Sequence, residues 1–321
     1  MLPEIAHLHI TGACPCNCKH CYLKQRFRDT KLPLETVTHY MQVLQENGAK
    51  YLNILGGEPF LHPEFSEILK KATDMFEKVT VSTYGDIFFK RYLEEVMSYD
   101  NATIWVSLDY YGSKHDHLRR NPGLFERVHH NLVYAKRYAD RITIRSTIFD
   151  DNYPDIREIL NFAKYYGYAM FCYRSIGYNE PSAKTLEKVY SLFLNENDPG
   201  IYQVRDNTFK LINKNLYPWA IKIYEKYGKL CGAGARRISI LPNGTVTPCP
   251  YWLTYTLGNL EDMENLQRNI KKFIEFSMQI PERCKECPFA EICRGACTIL
   301  RGRNCPIREG ERFKHFFSKN I

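Results

Sequence analysis

Short apolar segments alternate with amphipathic segments along the first 180 residues of the chain. Segments such as 51–55 (YLNIL) and 78–83 (KVTVST) are rich in the β-branched and apolar residues that favour strands. The intervening segments place apolar residues at helical spacing, as at Val37, Tyr40 and Met41. The predicted strands are 5–11, 51–55, 78–83, 103–108, 142–149 and 168–176, which gives roughly six β/α units. This alternation predicts an α/β fold with a parallel sheet and outer helices.

The alternation ends near residue 180. Residues 181–230 are predicted to be helical, with aromatic residues interleaved. Residues 237–252 (RISILPNGTVTPCPYW) predict a β-hairpin that turns at residues 242–244. From Cys284 onward the chain has little apolar periodicity and many thiols, so we expect metal to stabilise its fold. The predicted parts are therefore a domain at 1–180, a helical bridge at 181–230 and a cysteine-rich domain at 231–321.

The composition is ordinary except in cysteine. Of twelve cysteines, four lie within residues 14–21, seven lie within residues 231–305, and Cys172 is alone. Residues 1–12 lack a signal-peptide pattern and no apolar run reaches membrane length, so we expect a cytoplasmic protein with no membrane partner. In that reducing compartment disulfides are not expected, and clustered thiols favour metal sites. The Lys and Arg residues behind the net charge of +8 are scattered, so no nucleic-acid partner is expected.

The first thiol group lies in the stretch TGACPCNCKHCYLK, which contains Cys14, Cys16, Cys18 and Cys21. Without Cys16, the other three have the spacing C-x3-C-x2-C. Three closely spaced thiolates on one loop can hold three corners of an iron–sulfur cubane, and the fourth iron then stays open for chemistry. A zinc knuckle or a disulfide pair is the alternative. Either Cys16 or Cys18 is a candidate for the spare thiol, and the spacing favours Cys16.

This spacing, followed by the aromatic Tyr22, resembles the signature of the radical S-adenosylmethionine (radical SAM) superfamily. The resemblance implies that Cys14, Cys18 and Cys21 hold a 4Fe–4S cluster whose open iron binds SAM. It also implies reductive cleavage of SAM to a 5′-deoxyadenosyl radical, which abstracts hydrogen from a substrate. The implied fold is a partial (β/α)6 TIM-like barrel, here in residues 1–180.

Motifs at the ends of later strands carry the same resemblance. Residues 56–59 (GGEP) resemble the motif for the SAM amino group, where glycines allow close backbone approach and a carboxylate can pair with an ammonium. Residues 107–109 (SLD) resemble the ribose-contacting segment, residues 82–85 (STYG) belong to the strand-three segment, and residues 145–152 occupy the fifth-strand position. Tyr84 departs from the family's usual Thr-Asn-Gly. The cofactor contacts implied by the resemblance are Tyr22, Gly56, Gly57, Glu58, Pro59, Ser82, Ser107, Asp109 and Thr147.

The C-terminal thiols have a spacing of their own. Cys231, Gly244 and Cys249 give C-x12-G-x4-C, and residues 284–297 give C-x2-C-x5-C-x3-C. This order resembles the SPASM extension of radical SAM enzymes, whereas a zinc ribbon would use four ligands and leave three thiols unexplained. The resemblance implies two auxiliary 4Fe–4S clusters, one held by Cys231, Cys249 and Cys297 and the other by Cys284, Cys287, Cys293 and Cys305. The first set lacks a fourth ligand, so its iron is open or is closed by a remote group such as Cys172.

The resemblance implies three 4Fe–4S clusters and SAM as cofactors and leaves the substrate open. Relatives with this extension mostly modify peptides and proteins, by crosslinking or oxidation, so a peptide maturase is the leading hypothesis. The alternative is an enzyme of tetrapyrrole or other small-molecule cofactor biosynthesis, and the non-enzymatic rival is a zinc-stabilised binding module. Pro250 stands where sulfatase-maturing relatives carry an Asp, which disfavours that activity.

The implied reaction also needs partners. An electron donor such as flavodoxin or ferredoxin would supply the reducing electron. Many peptide-crosslinking relatives have an N-terminal peptide-recognition domain, and only about four residues precede the first predicted strand here, so we expect any such domain to be a separate protein. The sequence identifies no catalytic acid or base, and the resemblance implies that the cofactor carries most of this chemistry.

Overall fold

One sheet carries the fold in the computed structural model, which describes residues 1–23, 26–196, 198 and 200–311. Across the described sheet the strands follow the order β7-β6-β5-β4-β3-β2-β1-β8-β9. Neighbouring strands are parallel except in the β8–β9 hairpin. The strands are β1 (Ile5–His9), β2 (Tyr51–Leu55), β3 (Lys78–Thr83), β4 (Ala102–Ser107), β5 (Ile142–Ile148), β6 (Ala169–Arg174), β7 (Tyr202–Val204), β8 (Arg237–Ile240) and β9 (Val246–Thr247).

Helices alternate with the strands up to β6 and then become more frequent. They are α1 (Leu34–Glu46), α2 (Phe65–Met75), α3 (Phe89–Met97), α4 (Ser113–Arg119), α5 (Leu124–Ala135), α6 (Tyr153–Tyr166), α7 (Ala183–Leu194), α8 (Asn207–Ile212), α9 (Tyr217–Tyr227), α10 (Met263–Met278), α11 (Ala290–Cys293) and α12 (Pro306–Glu309). None of the helices within the described residues has the length and apolar character needed to cross a bilayer.

Alternate residues of the barrel strands face different surroundings. In β4, Ile104 and Val106 are fully buried, whereas Trp105 and Ser107 are partly exposed. Successive side chains of a strand point to opposite faces, so the buried set packs under the helices and the other set lines the concave face of the sheet. The apolar core therefore lies between sheet and helices, and the concave face borders a cavity rather than a packed interior.

The predicted strands agree with the observed ones. Strands β2 and β3 have the bounds predicted from the sequence, and the other four of the first six differ by one or two residues at one end or at both. Helix α1 buries Val37, Tyr40 and Met41, as its spacing predicts. The hairpin predicted at 237–252 is present as β8 and β9, which pair antiparallel.

Two features of the C-terminal half correct the sequence-based expectation. The segment 181–230 is not purely helical, because β7 lies within it and pairs with β6. The hairpin is not a separate unit, because β8 pairs in parallel with β1 and extends the barrel sheet. Strand β7 has three residues, too few for an alternation to be visible, and β8 finds its partner more than 200 residues away. Residues 312–321 of the predicted cysteine-rich domain lie outside the described residues.

Candidate active site

The carboxyl ends of the barrel strands border a cavity of about 420 Å³. This volume lies in the usual range for small-molecule pockets. Most of the residues predicted from the sequence to contact the cofactor line it, but Glu58 and Pro59 do not. Those that line it are Tyr22, Gly56, Gly57, Ser82, Ser107, Asp109 and Thr147, together with Cys14, Cys16, Cys18 and Cys21.

The loop that carries the first thiols is fastened to the turn after β2. The amide of Gly57 donates to the carbonyl of Thr11 at 2.7 Å, and the amide of Glu58 donates to Ala13 at 2.7 Å. A Cβ atom on Gly57 would lie 2.3 Å from the oxygen of Ala13. A side chain at this position would therefore displace the loop, so close approach to the thiol-bearing backbone accounts for this glycine.

The carboxylate of Glu58 is used inside the protein. One oxygen accepts the amide of Tyr84 at 3.0 Å, and the other accepts the amide of Phe60 at 3.3 Å. The side chain is fully buried, and burial raises the pKa of Glu58 to about 7 in spite of these hydrogen bonds. This arrangement does not support the interpretation that the carboxylate pairs with an ammonium group in the cavity. Glu58 instead ties the turn after β2 to the end of β3.

Replacing Glu58 with Gln is expected to change how stability depends on pH. A carboxyl group whose pKa is raised by folding holds its proton more tightly in the folded state. The free energy of unfolding therefore falls as the pH rises from 4.5, the ordinary pKa, to about 7. For wild type this loss should amount to about 3 kcal/mol, and Glu58→Gln should remove it. Urea unfolding of the holoenzyme across this pH range measures the difference. The exposed Glu67→Gln is the control, and an equal fall in all three proteins would contradict the expectation.

Asp109 is also committed to contacts within the protein. Its carboxylate accepts Arg119 Nη2 at 2.7 Å and the amide of Thr147 at 2.8 Å, and both charged side chains are buried. Burial alone would raise the pKa of Asp109, but the Arg119 guanidinium outweighs it and the pKa lies well below its usual range. The end of α4 that carries Arg119 accepts the amides of Asn17 and Lys19, in the thiol loop. Asp109 therefore links β4, β5 and α4 to that loop.

All four N-terminal thiols reach the same cavity. Cys16 is 7% exposed and packs in the core, where Asn121 Nδ2 lies 3.5 Å from its sulfur. Its thiol is also within hydrogen-bonding reach of Cys14 and Cys18. Cys14 and Cys18 are less buried than Cys16, in agreement with the spacing, which remains the main reason to assign Cys16 as the spare thiol.

Two residues at this site were missed in the sequence. The hydroxyl of Tyr22 lies 2.9 Å from His9 Nε2, and His9 Nδ1 lies 2.9 Å from the carbonyl of Ile240, so β8 supports the aromatic residue after the thiols. Arg145 projects from β5 into the cavity, 4.6 Å from the ring centroid of Tyr173. The alternation in β5 places Arg145 and Thr147 on the same face, and this signal would have identified Arg145.

The C-terminal thiols border two spaces. Cys231, Cys249 and Cys297 line the same cavity as the N-terminal thiols. Cys284, Cys287, Cys293 and Cys305 line a separate hollow, which Cys297 also borders. Within the described residues no three His, Cys, Asp or Glu side chains converge as a single-ion site.

The set Cys231, Cys249 and Cys297 lacks a fourth ligand, and two buried side chains are relevant to it: Cys172 and Lys229. Cys172 is fully buried in the apolar core and lines neither space, which does not support the interpretation that it closes the three-thiol set. Lys229 is 1% exposed and donates to the carbonyl of Ala233 at 2.7 Å. Burial lowers the pKa of Lys229, while Cys231 and Cys249 favour its charged form. The three-thiol group thus has a buried lysine side chain beside it.

Comparison with known proteins gives two domain matches. Residues 8–163 match the radical SAM superfamily, and residues 231–288 match SPASM, an iron–sulfur cluster-binding domain. The second match includes Cys231, Cys249, Cys284 and Cys287 and ends before the other C-terminal thiols. Together the two domains imply SAM and iron–sulfur clusters as cofactors.

Individual proteins give the same result. The antilisterial bacteriocin subtilosin biosynthesis protein AlbA of Bacillus subtilis is 27% identical over 314 residues, 94% of this chain and 68% of AlbA. The AdoMet-dependent heme synthase of Methanosarcina barkeri is 23% identical over 91% of this chain and 90% of its own length. The crystal structure of Streptococcus suis SuiB bound to S-adenosylmethionine shares the fold, with a TM-score of 0.74 and 18% identity over 95% of this chain and 75% of SuiB.

These matches confirm the resemblance seen in the cysteine motifs and the predicted TIM-like α/β fold. They contradict the rival hypothesis of a non-enzymatic, zinc-stabilised module. The chain belongs to the radical SAM superfamily and is an enzyme of that family with a SPASM domain.

Proposed function

We propose that this enzyme cleaves SAM reductively and abstracts hydrogen from a peptide or protein side chain, leading to crosslinking or oxidative maturation. One observation carries the proposal. The N-terminal thiols and the set Cys231, Cys249 and Cys297 border one cavity, so a substrate held there would lie between two cluster sites. Such a position suits an oxidative reaction, in which an electron must leave the substrate after hydrogen is removed.

The proposed cofactors are SAM and three 4Fe–4S clusters. The donor chemistry fits, because each proposed ligand set consists of thiols that border a common space. The ligand sets are Cys14, Cys18 and Cys21; Cys231, Cys249 and Cys297; and Cys284, Cys287, Cys293 and Cys305. When bound, the first cluster would supply the electron that splits the sulfonium of SAM. The proposed domain limits remain 1–180, 181–230 and 231–321.

The proposed SAM contacts divide into two groups. Tyr22, Gly56, Gly57, Ser82, Ser107 and Thr147 line the cavity and are proposed to touch SAM directly. Glu58, Pro59 and Asp109 are proposed to act mainly by holding the loops in place. The carboxylates of Glu58 and Asp109 are occupied by Tyr84 and Arg119, respectively, which supports this division.

A peptide substrate is favoured by the likeness to AlbA, whose name assigns it to bacteriocin biosynthesis. The likeness to the heme synthase favours the second candidate, a tetrapyrrole substrate. The identity is higher for AlbA, so the peptide is proposed first. A flavodoxin or ferredoxin is the proposed electron donor, and a separate peptide-recognition protein is a proposed partner.

The proposal is tested by coexpressing the enzyme with a short peptide encoded beside its gene and measuring the peptide mass. We expect a loss of two hydrogens for each new bond, and Cys18→Ala enzyme should leave the mass unchanged. Parallel anaerobic assays with Fe-coproporphyrin III test the second candidate. Conversion of the tetrapyrrole with an unmodified peptide would overturn the peptide assignment.

A further inference from the structure

The cavity contains an excess of positive charge. Eight Lys and Arg side chains line its described wall, against two Asp side chains. Five of these cations have partners in the protein. Arg119 pairs with Asp109, Arg236 pairs with Glu4 at 2.8 Å, Arg174 and Arg28 donate to backbone carbonyls, and Arg145 donates to Ser82 Oγ at 3.4 Å. The excess therefore concentrates in the few cations that remain.

The three remaining cations lie near one another: Arg205, Lys210 and Arg237. Arg205 follows β7, Lys210 lies on α8, and Arg237 begins β8. Strands β7 and β8 lie on opposite sides of β1–β6 in the sheet order, so the three cations meet across the open side of the barrel. Burial, together with the nearby charges of Arg237 and Arg205, lowers the pKa of Lys210 to about 7.

No carboxylate in the described part of the chain lies within ion-pair distance of these three side chains. Arg205 is exposed to the cavity and lies 4.0 Å from the ring centroid of Phe171. Lys210 is 7% exposed; its ammonium donates to the amide oxygen of Asn207 at 3.1 Å and lies 4.8 Å from the ring centroid of Trp219, and both partners are uncharged. Asp206, nearby, accepts the amide of Thr208 at 2.7 Å. Lys210 is thus buried beside two guanidinium groups with no counterion among the described residues, which is costly, so the arrangement favours an anion from outside.

Arg237 lies away from the first thiols. It pairs with Ile5 at the start of β1, whereas the thiol loop follows the end of that strand, about 13 Å further on at 3.3 Å per residue. This distance separates Arg237 from a ligand bound beside Cys14, Cys18 and Cys21. Arg237 also lies near Cys249, where its positive charge favours the thiolate form of that cysteine. Arg205 and Lys210 lie on the other side of the cavity, next to β7.

We infer that Arg205, Lys210 and Arg237 form a carboxylate-binding subsite that anchors the substrate. The inference rests on the proposed function for the identity of the reaction. Guanidinium and ammonium groups recognise carboxylates through charge-assisted hydrogen bonds. The substrate is thus a molecule with a carboxylate at some distance from its reacting carbon: a peptide with an acidic side chain or a free C-terminus, or a tetrapyrrole with propionates.

The test uses reconstituted holoenzyme with SAM and a fluorescein-labelled pentaglutamate peptide, with binding followed by fluorescence anisotropy. Wild type should bind pentaglutamate and not pentaglutamine. Arg205→Gln and Lys210→Met should each weaken binding by about tenfold or more, since each removes a hydrogen bond to a charged group. Lys222→Met, on the exposed side of α9, is the matched control and should bind as wild type does. Iron content of each variant shows whether clusters have been lost.

Equal binding by wild type, Arg205→Gln and Lys210→Met would overturn the subsite. Modification of a neighbouring-gene peptide at equal rates by wild type and Arg205→Gln would also overturn it while leaving the proposed function intact. Coproporphyrin III serves as a competitor in the same assay. If it displaces pentaglutamate from wild type, binds more weakly to Arg205→Gln and Lys210→Met, and the neighbouring-gene peptide stays unmodified, the subsite is supported and the peptide assignment is overturned.

Discussion

Alanine in place of Cys18 will abolish formation of 5′-deoxyadenosine from SAM under dithionite, whereas alanine in place of Cys16 will leave most of it intact. Removing Cys18 takes away one of three thiolates in the C-x3-C-x2-C set, and a cluster with only two would not be retained. Cys16 is 7% exposed and packs in the core, so its loss should remove a packed side chain and no ligand. Chromatography of 5′-deoxyadenosine and iron per chain measure both effects.

The two variants form a matched pair, because each removes one thiol from the same loop. Loss of product in Cys16→Ala together with retained product in Cys18→Ala would mean that the ligand register is shifted. Loss in both would mean that Cys16 supports the loop itself, and the iron content of Cys16→Ala would then be expected to fall as well.

Asp109→Asn is expected to destabilise the folded enzyme by about 3 to 5 kcal/mol, since it leaves the buried Arg119 charge without its partner. Asparagine retains an acceptor for the amide of Thr147, so the loss reports mainly on charge. Because the end of α4 accepts the amides of Asn17 and Lys19, we also expect the thiol loop to loosen and iron to be lost more readily.

Urea unfolding of the holoenzyme measures the stability of Asp109→Asn, and iron release to a chelator measures the loop. Glu77→Gln is the control, because the Lys50–Glu77 pair is exposed and exposed pairs contribute little. An unchanged free energy of unfolding in Asp109→Asn would mean that Arg119 finds another counterion and that the link from β4 to the loop is not needed.

The sequence predicted those parts of the fold whose signal is local. Strand β3 alternates apolar and polar residues, and β2 buries Leu52, Ile54 and Leu55 around a single polar residue, Asn53. Strand β7 and the pairing of β8 with β1 were not predicted, because the first is too short for periodicity and the second depends on a contact between distant segments.

The site was predicted unevenly for the same reason. The cysteine spacings place the thiols, and the structure brings them to common spaces. The motif at 56–59 lies where expected, but its spacing says nothing about the direction of the Glu58 side chain, which is set by the amides of Phe60 and Tyr84. The group of Arg205, Lys210 and Arg237 has no sequence signal at all, because its members come from three separate elements.

The pairing of β8 with β1 limits how this enzyme can be divided or recombined. Strand β1 is an interior strand only because Arg237–Ile240 covers its second side. A chain cut before β8 would expose the backbone groups of Ile5–Leu8 as a bare sheet edge, which is a template for aggregation. The SPASM segment therefore cannot be removed as an independent unit, and exchanging it between relatives requires that the incoming strand fit β1.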